Sequence, residues 1–165
     1  MERDIQVVGF RIGTETFGLA IGQVREIVRV PEITSVPNSP AHVQGVINLR
    51  GKIVPVVDLR KRFGEKNIIT DRKNRVVVAE IDERLVGLLV NSASEVIRIP
   101  PSEIEAPNDL FQDGSVDYVT GVAKLKGRLV ILLDLAKVLK LRDNRHAPSF
   151  PESLADFEES FAGKH

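Results

Sequence analysis

The chain has 165 residues, of which 42% are apolar and 28% charged, and 23 basic residues balance 23 acidic ones. This composition is typical of a globular domain, and the zero net charge excludes a long-range field that would steer the chain onto nucleic acid or an anionic membrane. The absence of cysteine excludes disulfides, thiolate metal sites and a cysteine nucleophile. No apolar run approaches the roughly 18 residues of a transmembrane helix. A cytoplasmic protein is therefore the default expectation.

Short strands dominate the first part of the chain. Residues 5–12 and 16–21 are rich in apolar residues and flank a Gly-containing turn, so they predict a β-hairpin. Val24 and Ile27 are spaced i, i+3 and predict a short helix at 23–27. Ser39 and Pro40 fit the cap and first turn of another short helix at 41–44.

Residues 45–64 predict a strand, a tight turn, a second strand and a helix. Gly51 can supply the positive φ of the turn, which leaves Arg50 at the hairpin tip. Strand 53–57 is apolar throughout and is expected to be covered on both faces, whereas Pro55 within it indicates a sheet edge or a bulge. Asp58 can cap a helix over 59–63, and Gly64 can end it.

The second half repeats this order. Strands are predicted at 75–81, 85–90, 119–125 and 128–133, Ser92 and Glu95 predict a capping box on a short helix, and Asp134 can cap a helix at 135–139. Eight of 25 positions are identical between 7–31 and 76–100, and eight of 20 between 45–64 and 121–140. Unrelated segments would share about one or two positions. We therefore predict an internal duplication.

The fold class that follows is all-β, because many short strands with Gly turns indicate a small barrel or sandwich. We predict a single domain over 1–165, with a first barrel repeat at 5–64, a polar connector at 65–74 and a second barrel repeat at 75–141. Units of this size are marginal alone, so the two are expected to press together. Which unit takes the first and last strands is left open. The tail, 142–165, carries a possible helix at 151–162.

Catalytic and metal-binding patterns are absent from the sequence. His42, His146 and His165 are far apart and lack ligand spacing, and no phosphate-binding or dinucleotide motif is present. Asp58 and Asp134 occupy equivalent positions before predicted helices, which favours capping over catalysis. We expect a binding protein that is not an enzyme and needs no cofactor or metal.

A family resemblance rests on Gly-Val-Ile-Asn-Leu-Arg-Gly at 45–51, followed by Ile-Val-Pro-Val-Val-Asp-Leu at 53–59. This pair of motifs resembles the signature of the CheW family, the coupling proteins of bacterial chemotaxis, and the resemblance covers residues 5–142. It implies two SH3-like five-stranded barrels around a shared core. It implies a scaffold that couples the cytoplasmic tip of methyl-accepting chemoreceptors to the CheW-like regulatory domain of the histidine kinase CheA. Membrane insertion is not implied.

The resemblance also implies site residues. Val24, Glu26 and Arg50 match receptor-contact positions. The residues alone also fit core packing for Val24, a solvated helix face for Glu26 and a solvated hairpin tip for Arg50. Leu110 and Phe111 lie in a loop that contacts the kinase in the family, and they equally fit a small cluster tucked under that loop. Gly45, Gly51, Gly121 and Gly127 are predicted at structural turns.

Other functions stay open at this point. An RNA-binding SH3-like or OB-like barrel finds superficial support in Arg50-Gly51-Lys52, but neutral charge and 5% aromatic content weigh against it. An adaptor of a related, non-flagellar chemosensory system would carry the same motifs. In the tail, Leu154, Phe157 and Phe161 share one face of the predicted helix, which would either be a disordered end or dock on the chain itself.

Overall fold

The computed structural model describes residues 3–39, 43–106 and 117–139. Strands make up most of these residues, which confirms the all-β class. They are β1 Ile5–Ile12, β2 Glu15–Ala20, β3 Val24–Arg29, β4 Val43–Leu49, β5 Lys52–Asp58, β6 Arg75–Ile81, β7 Arg84–Val90, β8 Ser92–Ile99, β9 Ile104–Glu105, β10 Val119–Leu125 and β11 Arg128–Leu133. The helices are short: α1 Leu59–Arg62, α2 Leu135–Leu139 and single 3₁₀ turns at Ile21–Gln23 and Pro101–Glu103.

The strands form two sheets with matching topology. Sheet I has the order β8-β1-β2-β11-β10-β9, and sheet II has the order β3-β6-β7-β5-β4. The pairs β2–β11 and β5–β7 are parallel, and the other strand pairs are antiparallel. Replacing each strand by its counterpart in the sequence repeat converts the first five strands of sheet I into sheet II. The duplication in sequence is therefore also a duplication of topology.

Each sheet combines strands from both halves of the chain. The hairpin β1–β2 pairs with β8 and β11 of the second half, and the hairpin β6–β7 pairs with β3 and β5 of the first half. This exchange answers the question that the sequence left open about the first strands. Each of the predicted repeats, 5–64 and 75–141, thus contributes strands to both sheets. The SH3-like form of each sheet stays a prediction.

Buried apolar residues form three clusters. Sheet I encloses Val7, Ile97, Ile99, Ala123, Val130 and Leu132, and sheet II encloses Ile47, Val54, Val56, Val76, Val78 and Leu89. A larger cluster between the sheets includes Phe10, Leu59, Leu88, Leu135 and Val138. Beside it, rings stack at centroid distances of 5.3–6.1 Å in the order Phe10, Phe17, Phe63 and Tyr118. Because both halves supply the larger cluster, they share one core.

Two predicted helices are strands in the structure. The prediction of a helix at 23–27 was wrong, since Val24–Arg29 is β3 and pairs with β6. The capping box of Ser92 and Glu95 was also wrong, since both residues lie in β8 beside β1. β-branched residues in both segments favour an extended backbone, and the neighbouring strands supply their hydrogen-bond partners. The helix predicted at 41–44 was also wrong at Val43 and Gln44, which lie in β4, and residues 41 and 42 lie outside the described residues.

The turn and cap predictions around β5 are confirmed. Arg50 and Gly51 have φ values of 51° and 88°, as a tight two-residue hairpin turn requires. Asp58 caps α1 by accepting a hydrogen bond from the Arg60 amide at 2.9 Å, and Gly64 follows with φ 78°. The sheet-edge interpretation of Pro55 was wrong, because β5 lies between β4 and β7. The pairing with β7 begins one residue later, at Val56.

Candidate partner-binding surface

The β4–β5 hairpin holds Arg50 in an exposed and fixed position. The Gly51 amide donates a hydrogen bond to Asn48 Oδ1 at 2.8 Å, which closes the turn from inside. The side chain of Arg50 is 70% exposed. Ile53, which pairs with Asn48 in the same hairpin, is 56% exposed. Exposed arginine is one of the residue types that most often carry binding energy at protein interfaces.

Arg50 forms an ion pair with Glu26 on β3. Arg50 Nη1 donates to Glu26 Oε1 at 3.0 Å, and Nη2 donates to Oε2. The hydrogen bonds from Arg50 hold the pKa of the Glu26 carboxyl below its usual range, and the carboxylate raises the pKa of Arg50. The pair is solvent-exposed, so it orients the guanidinium more than it stabilises the fold. The structure thus brings together two of the three residues predicted for receptor contact.

The third residue, Val24, begins the same strand but faces inward. It is partly buried and packs against the larger core cluster. The register of β3 against β6 shifts between Val24 and Glu26, so Arg25 forms a bulge and pairs with Glu80, with Nε 2.7 Å from Oε1. A bulge re-aims the side chains that follow it, and here the next residue is Glu26.

The duplicated position in sheet I carries a related but different surface. Lys126 is the counterpart of Arg50 and lies at a turn with φ 45°, yet Glu95 pairs with Arg128 instead, at 3.1 Å. Val96 and Leu129 are each 53% exposed there. A cleft of about 260 Å³ separates β8 from this hairpin. The two hairpin tips therefore differ in which cation is bound to the neighbouring glutamate.

The predicted turn glycines fall into two classes. Gly51 and Gly127 occupy the turns, with φ of 88° and 82°. Gly45 and Gly121 lie instead inside β4 and β10, each at a shift of strand register. Gly45 has φ 146°, and a Cβ there would lie 2.1 Å from the carbonyl oxygen of Thr34. Gly45 is therefore required for the close approach of the segment before β4.

A buried polar cluster behind α1 was not predicted from the sequence. Arg60 is 3% exposed, and its Nε and Nη2 donate to the two oxygens of Asp58 at 3.0 and 3.1 Å. Arg60 Nη1 also donates to the Ile69 carbonyl at 3.0 Å and to Asn74 Oδ1 at 3.3 Å. Asp58 thus caps a helix and neutralises a buried cation. A spacing of two residues between Asp and Arg on an apolar segment is the only local signal.

The remaining site predictions are not tested by geometry. Leu110 and Phe111, predicted for kinase contact, lie outside the described residues, as do His42, His146 and the tail with its possible helix at 151–162. Within the ranges described above, no group of three His, Cys, Asp or Glu side chains could hold a metal ion. No helix in those ranges is long and apolar enough to cross a membrane.

The described residues define a duplicated two-sheet β protein whose candidate site is an exposed, oriented ion pair at a hairpin tip. The family model described as a CheW-like domain matches residues 6–143. The chain belongs to the CheW-like family, as the motifs at 45–59 predicted.

Individual relatives agree with this assignment. Chemotaxis protein CheW of Rhizobium meliloti (strain 1021) is 33% identical over 142 residues, which cover 86% of this chain and 92% of the relative. Chemotaxis protein CheW of Helicobacter pylori (strain ATCC 700392 / 26695) is 34% identical over 140 residues, 84% of each chain. The crystal structure of scaffolding protein TtCheW from Thermoanaerobacter tengcongensis is 34% identical, with a TM-score of 0.76, and the match covers 88% of this chain and 97% of that one.

Proposed function

We propose that this chain is a non-enzymatic coupling scaffold of a bacterial chemotaxis system, acting in the cytoplasm at receptor arrays. It holds the cytoplasmic tip of a chemoreceptor with one surface and the CheW-like regulatory domain of the kinase CheA with another. The observation that carries the proposal is the match to the CheW-like domain over residues 6–143. Occupying both surfaces at once raises the effective concentration of kinase at the receptor and couples their conformations.

The receptor surface of this proposal consists of Arg50, Glu26 and the neighbouring part of β3. Its support is physical: the guanidinium is exposed, fixed by the turn and held by one carboxylate, so it loses little freedom on binding. Because Arg50 has five N–H donors, it can keep contact with Glu26 while it binds a carboxylate or carbonyl on a receptor helix. Val24 acts from behind, by setting the position of β3 through its packing.

The kinase surface of this proposal is assigned to Leu110 and Phe111 on the family resemblance. They are a bulky apolar pair within Pro-Asn-Asp-Leu-Phe-Gln-Asp-Gly at 107–114, a segment otherwise made of polar and turn-forming residues. Since a kinase regulatory domain of the same family would present duplicated β-hairpins, the contact would join two related domains. RNA binding is not favoured, because the chain belongs to the CheW-like family and carries no net charge.

The test of the receptor surface is a charge reversal with a matched control. Arg50→Glu should weaken binding of a receptor-tip fragment by about 1–3 kcal/mol, as loss of a central interface contact does. Its thermal unfolding should stay nearly unchanged, because the residue is exposed. Lys126→Glu, the same change at the duplicated tip, should keep wild-type affinity. Isothermal titration calorimetry measures the receptor affinity of both variants and of the native protein. Equal affinity in all three folded proteins would refute the assignment of Arg50.

A further inference from the structure

Four basic residues line an open cleft on sheet II that the proposed receptor and kinase contacts do not use. The cleft has a volume of about 540 Å³ and is lined by Arg29, Val30, Asp71, Arg72, Lys73, Asn74 and Arg75. Arg29 ends β3 and Val30 follows it, Arg75 begins β6, and residues 71–74 form the turn that leads into β6. The lining therefore carries four cationic side chains and one carboxylate.

Two of these cations lie side by side on adjacent strands. Arg29 and Arg75 are direct partners in the antiparallel pairing of β3 with β6, so their side chains lie on the same face. Like charges in this arrangement are unfavourable unless an anion lies between them. The duplicated position in sheet I avoids the conflict, since Arg98 lies opposite Gln6. The opposed arginines are thus specific to this cleft and do not follow from the fold.

The single carboxylate of the cleft is already engaged in its own turn. Asp71 Oδ1 accepts hydrogen bonds from the Lys73 amide at 2.8 Å and from Asn74 Nδ2 at 3.4 Å. Arg75 Nη1 donates to the carbonyl oxygens of Arg72 and Asn74 at 2.7 and 2.8 Å, which fixes its guanidinium at the wall. Within the part of the chain that the structure describes, no ion pair involves Arg29, Arg72, Lys73 or Arg75. The cleft is therefore positively charged, and the guanidinium of Arg75 is held in place at its wall.

Exposed apolar side chains accompany the charge. Val30 is 38% exposed in the cleft wall. Ile69 is 63% exposed, and its carbonyl accepts from the same Arg60 Nη1 as Asn74 of the cleft lining, so the backbone of Ile69 lies close to the cleft. The matching ligand is therefore a peptide that combines carboxylates with apolar side chains.

We infer that this cleft binds the acidic C-terminal segment of the same chain, residues 151–163. That segment contains four carboxylates, Glu152, Asp156, Glu158 and Glu159, together with Leu154, Phe157 and Phe161, and it has no lysine or arginine. Residues 140–150 join it to α2 and can span on the order of 38 Å when extended. A compact chain of this length has a radius of gyration of about 15 Å, so the segment can reach the cleft on its own molecule.

Distances between two spin labels test the inference in the full chain. The protein has no cysteine, so Thr70→Cys beside the cleft and Ser153→Cys in the segment give a uniquely labelled pair. Pulsed electron paramagnetic resonance should show a short, narrow distance distribution. Thr120→Cys, an exposed site on sheet I, paired with Ser153→Cys should show longer distances. No short-distance population with Thr70→Cys would overturn the inference.

Charge reversals identify the contact. R29E/K73E should reduce the ratio of docked to undocked chains about tenfold, as expected when two screened ion pairs become repulsive. R98E/K126E changes the net charge equally on sheet I and should have no effect. Adding E158K/E159K to R29E/K73E should restore the short distance. An equal loss in R98E/K126E, or no rescue, would overturn the assignment of the cleft.

Further controls concern the fold of R29E, the role of the segment and the number of chains in the contact. R29E places an opposite charge across from Arg75, so its fold is not expected to suffer. E158K/E159K alone changes only the segment and should also reduce the ratio of docked to undocked chains about tenfold. Dilution of labelled chains with unlabelled protein should leave the short distance unchanged. Its disappearance on dilution would mean that the segment binds a second copy, which contradicts binding within one chain.

Discussion

Arg50 controls the ionisation of Glu26 at the hairpin tip. Because its hydrogen bonds lower the pKa of the carboxyl, the pair is fully formed above the ordinary value of 4.5 and is lost as the pH falls through the lowered value. A carbon-13 NMR titration of the Glu26 side chain should give a pKa below 4.5 in the native protein. Arg50→Gln should raise it towards 4.5, and Lys126→Gln should leave it unchanged. The same titration curve with and without Arg50 would contradict the pairing.

Gly45 is important because the backbone of Thr34 approaches it too closely to leave room for a side chain. Gly45→Ala would drive a Cβ against the Thr34 carbonyl at 2.1 Å, and the φ of 146° would strain any side chain. We expect a loss of about 3 kcal/mol or more in the free energy of unfolding. Gly22→Ala meets no atom within 4 Å and should change stability by less than about 0.5 kcal/mol. Urea denaturation compares the two, and equal midpoints would refute the steric account.

At the scale of elements, local chemistry predicted turns and caps correctly. Gly51 adopts the positive φ that the turn after Arg50 needs, and Asp58 caps α1 with its own side chain. The segment of β3 was predicted as a helix because Val24 and Ile27 are spaced i, i+3, and the start of β8 because Ser92 and Glu95 fit a capping box. Both patterns also fit a strand that contains a bulge. Their state is decided by pairing with β6 and β1, which lie far away in sequence. A local pattern could not reveal those partners.

The connector between the halves is anchored by one buried cation. Arg60 joins Asp58 to Ile69 and Asn74, and no sequence pattern indicates that residues so far along the chain return to α1. Arg60→Ala should destabilise the protein by about 3–5 kcal/mol, because it leaves a buried carboxylate without its cation. Lys61→Ala, at the exposed neighbour, should cost less than about 0.5 kcal/mol. Similar unfolding midpoints for the two variants would show that the cluster contributes little.

At the scale of the whole molecule, the sequence predicted the duplication, and the structure adds the exchange of hairpins between the sheets. Strand pairing between β2 and β11 or between β5 and β7 joins distant segments, so it could not be read from a repeat alone. The exchange means that each half of the chain contributes strands to both sheets, and both sheets contribute side chains to the larger core cluster. This arrangement suits the scaffold role proposed above.

The most direct test of the account is the binding of both partners to one set of variants. A receptor-tip fragment and the kinase regulatory domain are each titrated into the native protein, Arg50→Glu and the double variant L110S/F111S, and then mixed for analytical ultracentrifugation. We expect the native protein to form a ternary complex, Arg50→Glu to keep only the kinase, and L110S/F111S to keep only the receptor. Competition between the partners for the native protein, or loss of both partners in either folded variant, would contradict the account.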